Sequence, residues 1–390
     1  MNCRVCGANT KKFLDLGKQP IANQFVKEID DTETFYHLEI FFCPKCYSVQ
    51  IGECPEASKV FTEDYPFYTS SSKFMQRHFE ELSVSIKNSS IYQNNPFIVE
   101  IGSNDGTFLN FFKGTKHLGI EPCSCVADVA IKSGVNVRKE FFNEDCAAKV
   151  LVNEGEAGVI VSANTFSQIQ DRKSVLLGIK KLLSNNGVWI NEEPYLGNII
   201  YDVAYDQFYN EHVFYSSIAS YDKITKMFGL EVVGFKWQDV HGGSMRYYIS
   251  HEGSNPKGRK LVEKALERES LSTFDEFKDF QSKVQESARQ LKNKLIDLQQ
   301  KKETIVGYGA TAKSSTILNY CKIDGAIIKG IYDTTPVKQD TYSPGMHIPI
   351  IAYDTFKKDN NKNVVLFAWN HKKEILEKEK RSKINWILPV

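Results

Sequence analysis

At 390 residues, with 42% hydrophobic and 25% charged side chains, the chain has the composition of an ordinary folded protein with room for two or three domains, and not that of a disordered or fibrous one. Lys and Arg number 49 against 48 Asp and Glu, a net charge of +1, so no global field favours nucleic acid or an anionic membrane, and any anionic ligand needs a local site. Met1 to Cys6 contain no apolar signal core and no run of about 18 apolar residues occurs, which sets the expectation of a cytoplasmic protein without a membrane partner.

Nine cysteines are too few for a disulfide scaffold, and their odd number argues for metal binding or plain burial. Residues 1–56 contain the pairs Cys3-x-x-Cys6 and Cys43-x-x-Cys46, each in a short turn. Two such knuckles supply four thiolates at tetrahedral angles, so a structural zinc module is expected, with four reduced buried thiols as the alternative. No histidine shares the spacing, so the metal is not expected to be catalytic. Cys54, Cys123, Cys125, Cys146 and Cys321 read as small apolar residues.

Residues 57–95 read as a linker and a helix, with Phe74, His78, Leu82 and Ile86 at four-residue spacing. The aromatic and hydroxyl-rich stretch ahead of it, Asp64 to Ser72, either lies over a ligand through Tyr65 and Tyr68 or packs two domains together.

From 96 to 256 apolar strands alternate with helices: Phe97–Ile101, His117–Ile120, Gly158–Ser162 and Val188–Asn191 at crossover spacing, then Glu231–Trp237 and Ser244–Ser250 facing each other across Gly242-Gly243. A mostly parallel sheet ending in an antiparallel strand is the shape of a class I, Rossmann-like S-adenosylmethionine methyltransferase. Glu100, Gly102, Asn104, Asp105 and Gly106 form a turn after the first strand whose spacing is not G-x-G-x-x-G, which favours an adenosyl-methionine tail over a dinucleotide. Glu121 at the tip of the next strand is placed to accept from ribose hydroxyls. Phe142, next to Phe141, is expected at the adenine, and Ala163 and Asn164 at the methionine portion.

An insertion after Glu192-Glu193-Pro194 concentrates Tyr201, Tyr205, Phe208, Tyr209, Glu211, His212, Phe214 and Tyr215 above the carboxyl ends of the strands, where open α/β sheets bind ligands. His212 is a base near neutral pH, with Glu211 or Tyr209 to orient it or to hold substrate hydroxyls.

Residues 257–302 are charged and helical, with one apolar stripe from Phe274 through Phe277, Phe280, Val284, Ala288, Leu291 and Leu295 to Leu298, and Thr273-x-x-Glu276 offers a capping box. Residues 303–390 restart as α/β, with strands expected at Thr304–Ala310, Ile327–Asp333 and Val364–Trp369, giving a smaller Rossmann-like domain. Gly307, Gly309 and Lys313 at a helix start suit a phosphate, although a purely structural domain fits as well.

The ordered set of Cys₄ module, Glu100-Ile101-Gly102-Ser103-Asn104-Asp105-Gly106, Glu211-His212-Val213-Phe214-Tyr215-Ser216, His241-Gly242-Gly243-Ser244-Met245-Arg246, Gly307 to Lys313 and Pro344 to Pro349 resembles the three-domain, zinc-containing sugar C-methyltransferases that act on nucleotide-linked 4-keto deoxysugars. The resemblance implies S-adenosylmethionine as cofactor, structural zinc, a nucleotide-sugar substrate and His212 as the base that takes the C3 proton. It makes His241, Tyr209 and Arg246 donors to the carbonyl oxygen, although Arg246 also reads as a hairpin-edge charge and His241 as a turn residue. It brings Tyr215, Lys313 and His347 toward the substrate and gives the C-terminal domain a share in binding the nucleotide diphosphate. A monomer without a nucleic-acid partner is expected. The chain departs from the family where relatives carry a histidine and it has Gln168, which cannot act as acid or base. O-methylation of a sugar or related metabolite, and a non-catalytic zinc-containing binding module, are the competing expectations.

Overall fold

The computed structural model describes residues 1–29, 32–62, 67–359, 362–380 and 384–390; Tyr65, expected at the substrate, lies outside them. The first sheet starts with β1 (Lys11–Pro20), β2 (Phe35–Phe42) and β3 (Val49–Ile51), paired antiparallel. Alternation along β2 sends Leu38, Ile40 and Phe42 inward, all fully buried, as expected for a sheet with one wet face.

The second sheet is built from β4 (Ile98–Ile101), β5 (His117–Ile120), β6 (Val137–Arg138), β7 (Ala157–Ala163) and β8 (Leu183–Pro194), joined after a short excursion β9 (Phe214–Tyr215) by β10 (Leu230–Gln238) and β11 (Ser244–His251). Its order is β10-β11-β8-β7-β4-β5-β6, parallel from β6 to β8, with β11 antiparallel between β8 and β10. β4 is buried at every position and β7 at all but its last, as a parallel sheet covered on both faces requires. The order in which strands are added reverses between β4 and β7, and the crevice at their carboxyl ends is where such sheets take ligands.

The third sheet, β12 (Ile305–Tyr308), β13 (Ile331–Asp333), β14 (Ile350–Ala352), β15 (Asn363–Leu366) and β16 (Asn385–Ile387), is wholly parallel with order β14-β13-β12-β15-β16. It too has a switch point, between β12 and β15. Trp369, expected to end a strand, instead starts a 3₁₀ turn beyond β15.

Between the second and third sheets the chain is not one helix. It forms helices Pro256–Leu266 and Phe280–Gln300 with a 3₁₀ turn Phe274–Phe277 between them, and the expected Thr273 capping box does not form: the Thr273 side chain makes no cap hydrogen bond at the start of that turn. The apolar stripe is nevertheless a packing face: Phe277, Phe280, Val284, Leu291 and Leu295 are buried, with Phe277 against Phe13 and Phe42 of the first sheet. In helix Lys73–Lys87 the buried face is Met75, His78, Phe79, Leu82 and Ile86, and Phe74 faces out; Ser72 caps this helix by accepting from the Met75 amide.

The three sheets are tied by specific contacts. β9, from the insertion, pairs with β3 and so completes the first sheet. Val26 pairs with Tyr342, and Glu33 accepts from the Gly345 amide and meets His347 Nε2 at 2.6 Å. Among the described residues no helix is long and apolar enough to cross a membrane.

Candidate functional site

The Sγ atoms of Cys3, Cys6, Cys43 and Cys46 all lie within 4.8 Å of one another, with Cys3 to Cys46 and Cys6 to Cys43 at 3.5 Å. Four thiolates about 2.3 Å from a tetrahedral zinc stand about 3.8 Å apart, so this donor set fits the ion, and its closure by four protein ligands suits a structural role. Gly7 and Tyr47, each at positive φ one residue past the second cysteine of its pair, turn the two knuckles.

A cavity of about 1430 Å³ opens between the carboxyl ends of the second and third sheets. Its floor is the turn after β4. Gly102 has φ +73°, and a Cβ there would stand 2.2 Å from Thr165 Oγ1, so only glycine fits. Glu121, at the tip of β5, accepts from the Asn104 amide at 2.9 Å and the Cys123 amide at 2.8 Å, one through each carboxylate oxygen. Each oxygen keeps a lone pair. Burial pushes the Glu121 carboxyl up, opposed by those two amides. Glu100 lines the same floor, its carboxyl pushed far up by burial and by Asp105 and Glu121, and its Oε2 has no hydrogen-bond partner. A buried, unpaired carboxylate oxygen beside a ribose-ready acid suits the ammonium and ribose of S-adenosylmethionine, so the floor fits that cofactor. Phe142, Ala163 and Asn164 line the cavity as well.

Asp105 and Gly106 sit one layer behind the cavity wall. The Asp105 carboxylate accepts from the Ser70 amide and from Thr107 Oγ1, and a Cβ on Gly106 would meet Ala130 Cβ at 2.8 Å. They shape the turn. Asn104 accepts from Thr69 N at 3.0 Å, so the segment carrying Tyr68 is fastened across the glycine turn, and Tyr68 lines the cavity.

The opposite wall carries His212, His241, Tyr209 and Glu211. The Tyr209 hydroxyl lies 2.9 Å from His212 Nε2 and fixes the ring. Burial, with His241 and Lys313 adding positive potential, lowers the His212 pKa to about 3, so the imidazole is neutral near pH 7 and its basicity is weakened in the absence of a nearby anion. Burial and Lys313 lower His241 likewise, to about 3. His241 has φ 54° at the hairpin turn, and its carbonyl accepts from Gln207 Nε2 at 2.6 Å. Glu211 does not reach His212. Its two oxygens accept from Asn23 N at 2.9 Å and Asn23 Nδ2 at 2.8 Å, which pins the insertion to the zinc module.

Arg246, expected at the substrate, does not line the cavity. It sits 5% exposed on β11, donating from Nε to Glu192 at 2.7 Å, while His78 Nε2 meets the other Glu192 oxygen at 2.6 Å. Burial would raise the Glu192 carboxyl, but His78 and Arg246 hold it below the usual range. Its Nη2 lies 3.1 Å from His78 Nε2, so the guanidinium is held within this buried cluster and away from the cavity. Tyr215 also lies behind the wall, buried, its hydroxyl accepting from the Tyr209 amide at 3.0 Å, and so braces Tyr209. His347 is engaged by Glu33 at the junction of the first and third sheets.

From the third sheet, Lys313 and Gly309 line the cavity, as does Gln168 from the second. Burial lowers the Lys313 pKa, with Asp206 opposing and Lys338 reinforcing. Sequence reasoning passed over Asn23, Asp333 and Lys338, which also line the cavity. Asp333 carried a signal, an acid at the tip of the strand after a glycine turn; Asn23 and Lys338 carried none.

Residues 239–390 match the family described as the C-methyltransferase C-terminal domain, residues 3–61 a zinc binding domain and residues 75–234 a methyltransferase domain. The chain is an S-adenosylmethionine-dependent methyltransferase. Among curated relatives, C-methyltransferase NovU of Streptomyces niveus is similar to this methyltransferase, 28% identical over 388 residues that cover 97% of this chain and 92% of that protein. Of solved structures, an S-adenosylmethionine-dependent methyltransferase from Anabaena variabilis matches at 13% identity and TM-score 0.35, covering 51% of this chain and 98% of that one. The magnesium protoporphyrin IX methyltransferase of Synechocystis PCC 6803 matches at 8% identity and TM-score 0.34, covering 45% and 79%. Scores this low carry no weight for the substrate of this methyltransferase.

Proposed function

We propose that this methyltransferase adds a methyl group to carbon 3 of a nucleotide-linked 4-keto deoxysugar. The observation that carries the reading is that one cavity is lined by the cofactor floor, Glu100 and Glu121, by a neutral buried imidazole, His212, and by a cation of the third sheet, Lys313. A ketone at C4 acidifies the neighbouring C–H bond because the electron pair left behind delocalises onto the carbonyl oxygen. His212 takes that proton from C3, and the ring is held ready by Tyr209. His241 is placed on the same wall to donate to the developing oxyanion. When bound, S-adenosylmethionine supplies an electrophilic methyl group, with the carbon nucleophile forming the new C–C bond and the sulfonium leaving as a thioether. Glu100 and Glu121 fix its polar ends, and Lys313 and Lys338 offer positive charge to the substrate's diphosphate.

An anionic diphosphate near Lys313 also cancels part of the potential that lowers His212, so the base strengthens when substrate is seated. Gln168 on the cavity wall neither gives nor takes a proton, which leaves the proton chemistry to the histidines. The test is turnover of a nucleotide-linked 4-keto-6-deoxysugar with ¹³C-methyl S-adenosylmethionine. A carbon-bound methyl in the product spectrum is expected; a methoxy signal would replace the reading with O-methylation, and no transfer across uridine, guanosine, cytidine and thymidine diphosphate sugars would sink it.

A further inference from the structure

Arg172 opens helix Arg172–Leu182, an end where the helix dipole disfavours a cation, and it is 1% exposed. Its guanidinium lies between two rings, with Cζ 4.3 Å from the Phe166 centroid and 4.0 Å from that of Phe214. For so buried a charge it is poorly paired. Nη1 donates to Ser216 Oγ at 3.5 Å, while Nε and Nη2 have no hydrogen-bond partner among the described residues. Glu193 Oε2 stands 3.8 Å from Nη2, but the two Glu193 oxygens already accept from the Ser167 amide and from the Tyr221 hydroxyl. Burial pushes the Glu193 carboxyl up, which weakens it further as a counter-ion. Burial lowers the Arg172 pKa, with Tyr221, Glu193 and the zinc ligands Cys46 and Cys3 opposing.

The Cys₄ site has the complementary shortage. Four thiolates on a divalent ion leave negative charge in excess. Arg4 and Lys45, the cations inside the two knuckles, are exposed, where water screens them. On the buried side the nearest donors are neutral: the Val5 amide, 3.4 Å from Cys3 Sγ, and Ser48 Oγ, 3.6 Å from the Sγ of both Cys3 and Cys46. Phe214 joins the two places. It pairs with Gln50 of β3, and next to it Val213 accepts from the Ile51 amide at 3.0 Å and donates to the Ser167 carbonyl at 2.9 Å.

We infer that Arg172 is the internal counter-cation of the zinc tetrathiolate, and that metal loading, through Arg172 and the Phe214 ring stacked on it, seats the strand that follows His212. Arg172 is a positioning residue: it does not line the cavity. In a dry surround a charge is costly unless an opposite charge stands near, so the anionic metal site and the guanidinium each make the other cheaper to bury. When zinc leaves and the thiols take up protons from solvent, Arg172 keeps its charge with only the weakened Glu193 to offset it. The segments on either side of the guanidinium, 165–172 and 211–217, then loosen together. The inference needs zinc in the Cys₄ site and holds for any substrate the cavity takes.

The experiment measures zinc affinity of the full chain by competition with a chelator of known affinity. Arg172→Met, which keeps apolar bulk between the rings without the charge, is expected to weaken zinc binding about 10- to 100-fold. Arg172→Lys, which keeps the charge and loses the planar stack, is expected to recover most of that loss. Glu193→Gln removes the competing negative charge at nearly unchanged shape, so it is expected to hold zinc at least as tightly as the unaltered protein. That sign is opposite to Arg172→Met, and a merely structural role for the cluster would not produce it. Unchanged affinity in Arg172→Met, a loss in Arg172→Lys as large as in Arg172→Met, or weaker zinc binding in Glu193→Gln overturns the inference. Where Arg172→Met folds poorly, Glu193→Gln and the unaltered chain still decide. Chelation of the unaltered protein is expected to speed hydrogen–deuterium exchange in 165–172 and 211–217 ahead of 98–106, and exchange in the first two segments that ignores the metal overturns it as well.

Discussion

The two walls of the cavity are assembled over different distances. On the cofactor floor Asn104 and Glu121 are 17 residues apart and belong to one strand-turn-strand unit. On the facing wall Glu211 is held by Asn23, 188 residues away, and β9, next to His212, is a strand of the zinc module's sheet. The floor is set by local chain geometry, whereas the base is aimed by contacts that exist only once the first sheet has folded. Damage to the zinc module should therefore reach turnover before it reaches cofactor binding.

That contrast breaks most visibly at His212. His212→Ala is expected to lower kcat roughly 10²- to 10⁴-fold while calorimetric affinity for S-adenosylhomocysteine stays within about twofold; cofactor affinity falling in step with kcat would mean that the two walls are not independent. Stripping zinc with a chelator is expected to abolish turnover and open residues 1–56 to protease, with cofactor binding retained by the second sheet. A metal analysis finding no zinc in active protein would remove the module from the argument.

Arg246→Ala probes the layer behind both walls. Breaking the buried pair with Glu192 is expected to cost about 3–5 kcal/mol in urea unfolding, because an uncompensated carboxylate stays behind, with KM for substrate unchanged at temperatures where the variant is folded. A raised KM with unchanged stability would return Arg246 to the ligand site. On the floor, Glu121→Gln is expected to weaken cofactor binding about tenfold with kcat at saturating cofactor preserved; an unchanged dissociation constant would take Glu121 away from the ribose.

The histidine wall also responds to pH. His212 and His241 have folded pKa values of about 3 against an ordinary 6.5, so between those values the unfolded chain binds protons that the folded one refuses. Their contribution to stability is complete above pH 6.5 and is lost as pH falls below it, by up to about 1.4 kcal/mol per pH unit for each histidine. Urea midpoints measured from pH 7.5 to 5 should fall, and less steeply in His212→Gln; parallel slopes would show that this ring is not held neutral.

Much of this was legible in the chain itself where the constraint is short-range. Paired cysteines two apart, glycines in a turn after a buried strand and an acid at the next strand tip each encode a local geometry that needs few partners, and the Cys₄ cluster and the turn below Glu121 form where the pattern puts them. Side-chain roles decided by distant neighbours were not legible. In sequence Arg246 looks like a ligand group and Glu211 like the partner of His212, and only packing shows Arg246 paired with Glu192 and both Glu211 oxygens accepting from Asn23. The capping box read at Thr273 was not legible as what it became, a short 3₁₀ turn whose Phe277 packs on Phe42 of the first sheet. Sequence alone thus determined the two α/β modules, the zinc donors and the cofactor turn, since these follow from periodicity and from residues a few positions apart. Tertiary structure alone decided which ionisable groups face the cavity, because a buried charge is committed to whichever partner the folded chain brings against it, however far away that partner lies in the sequence.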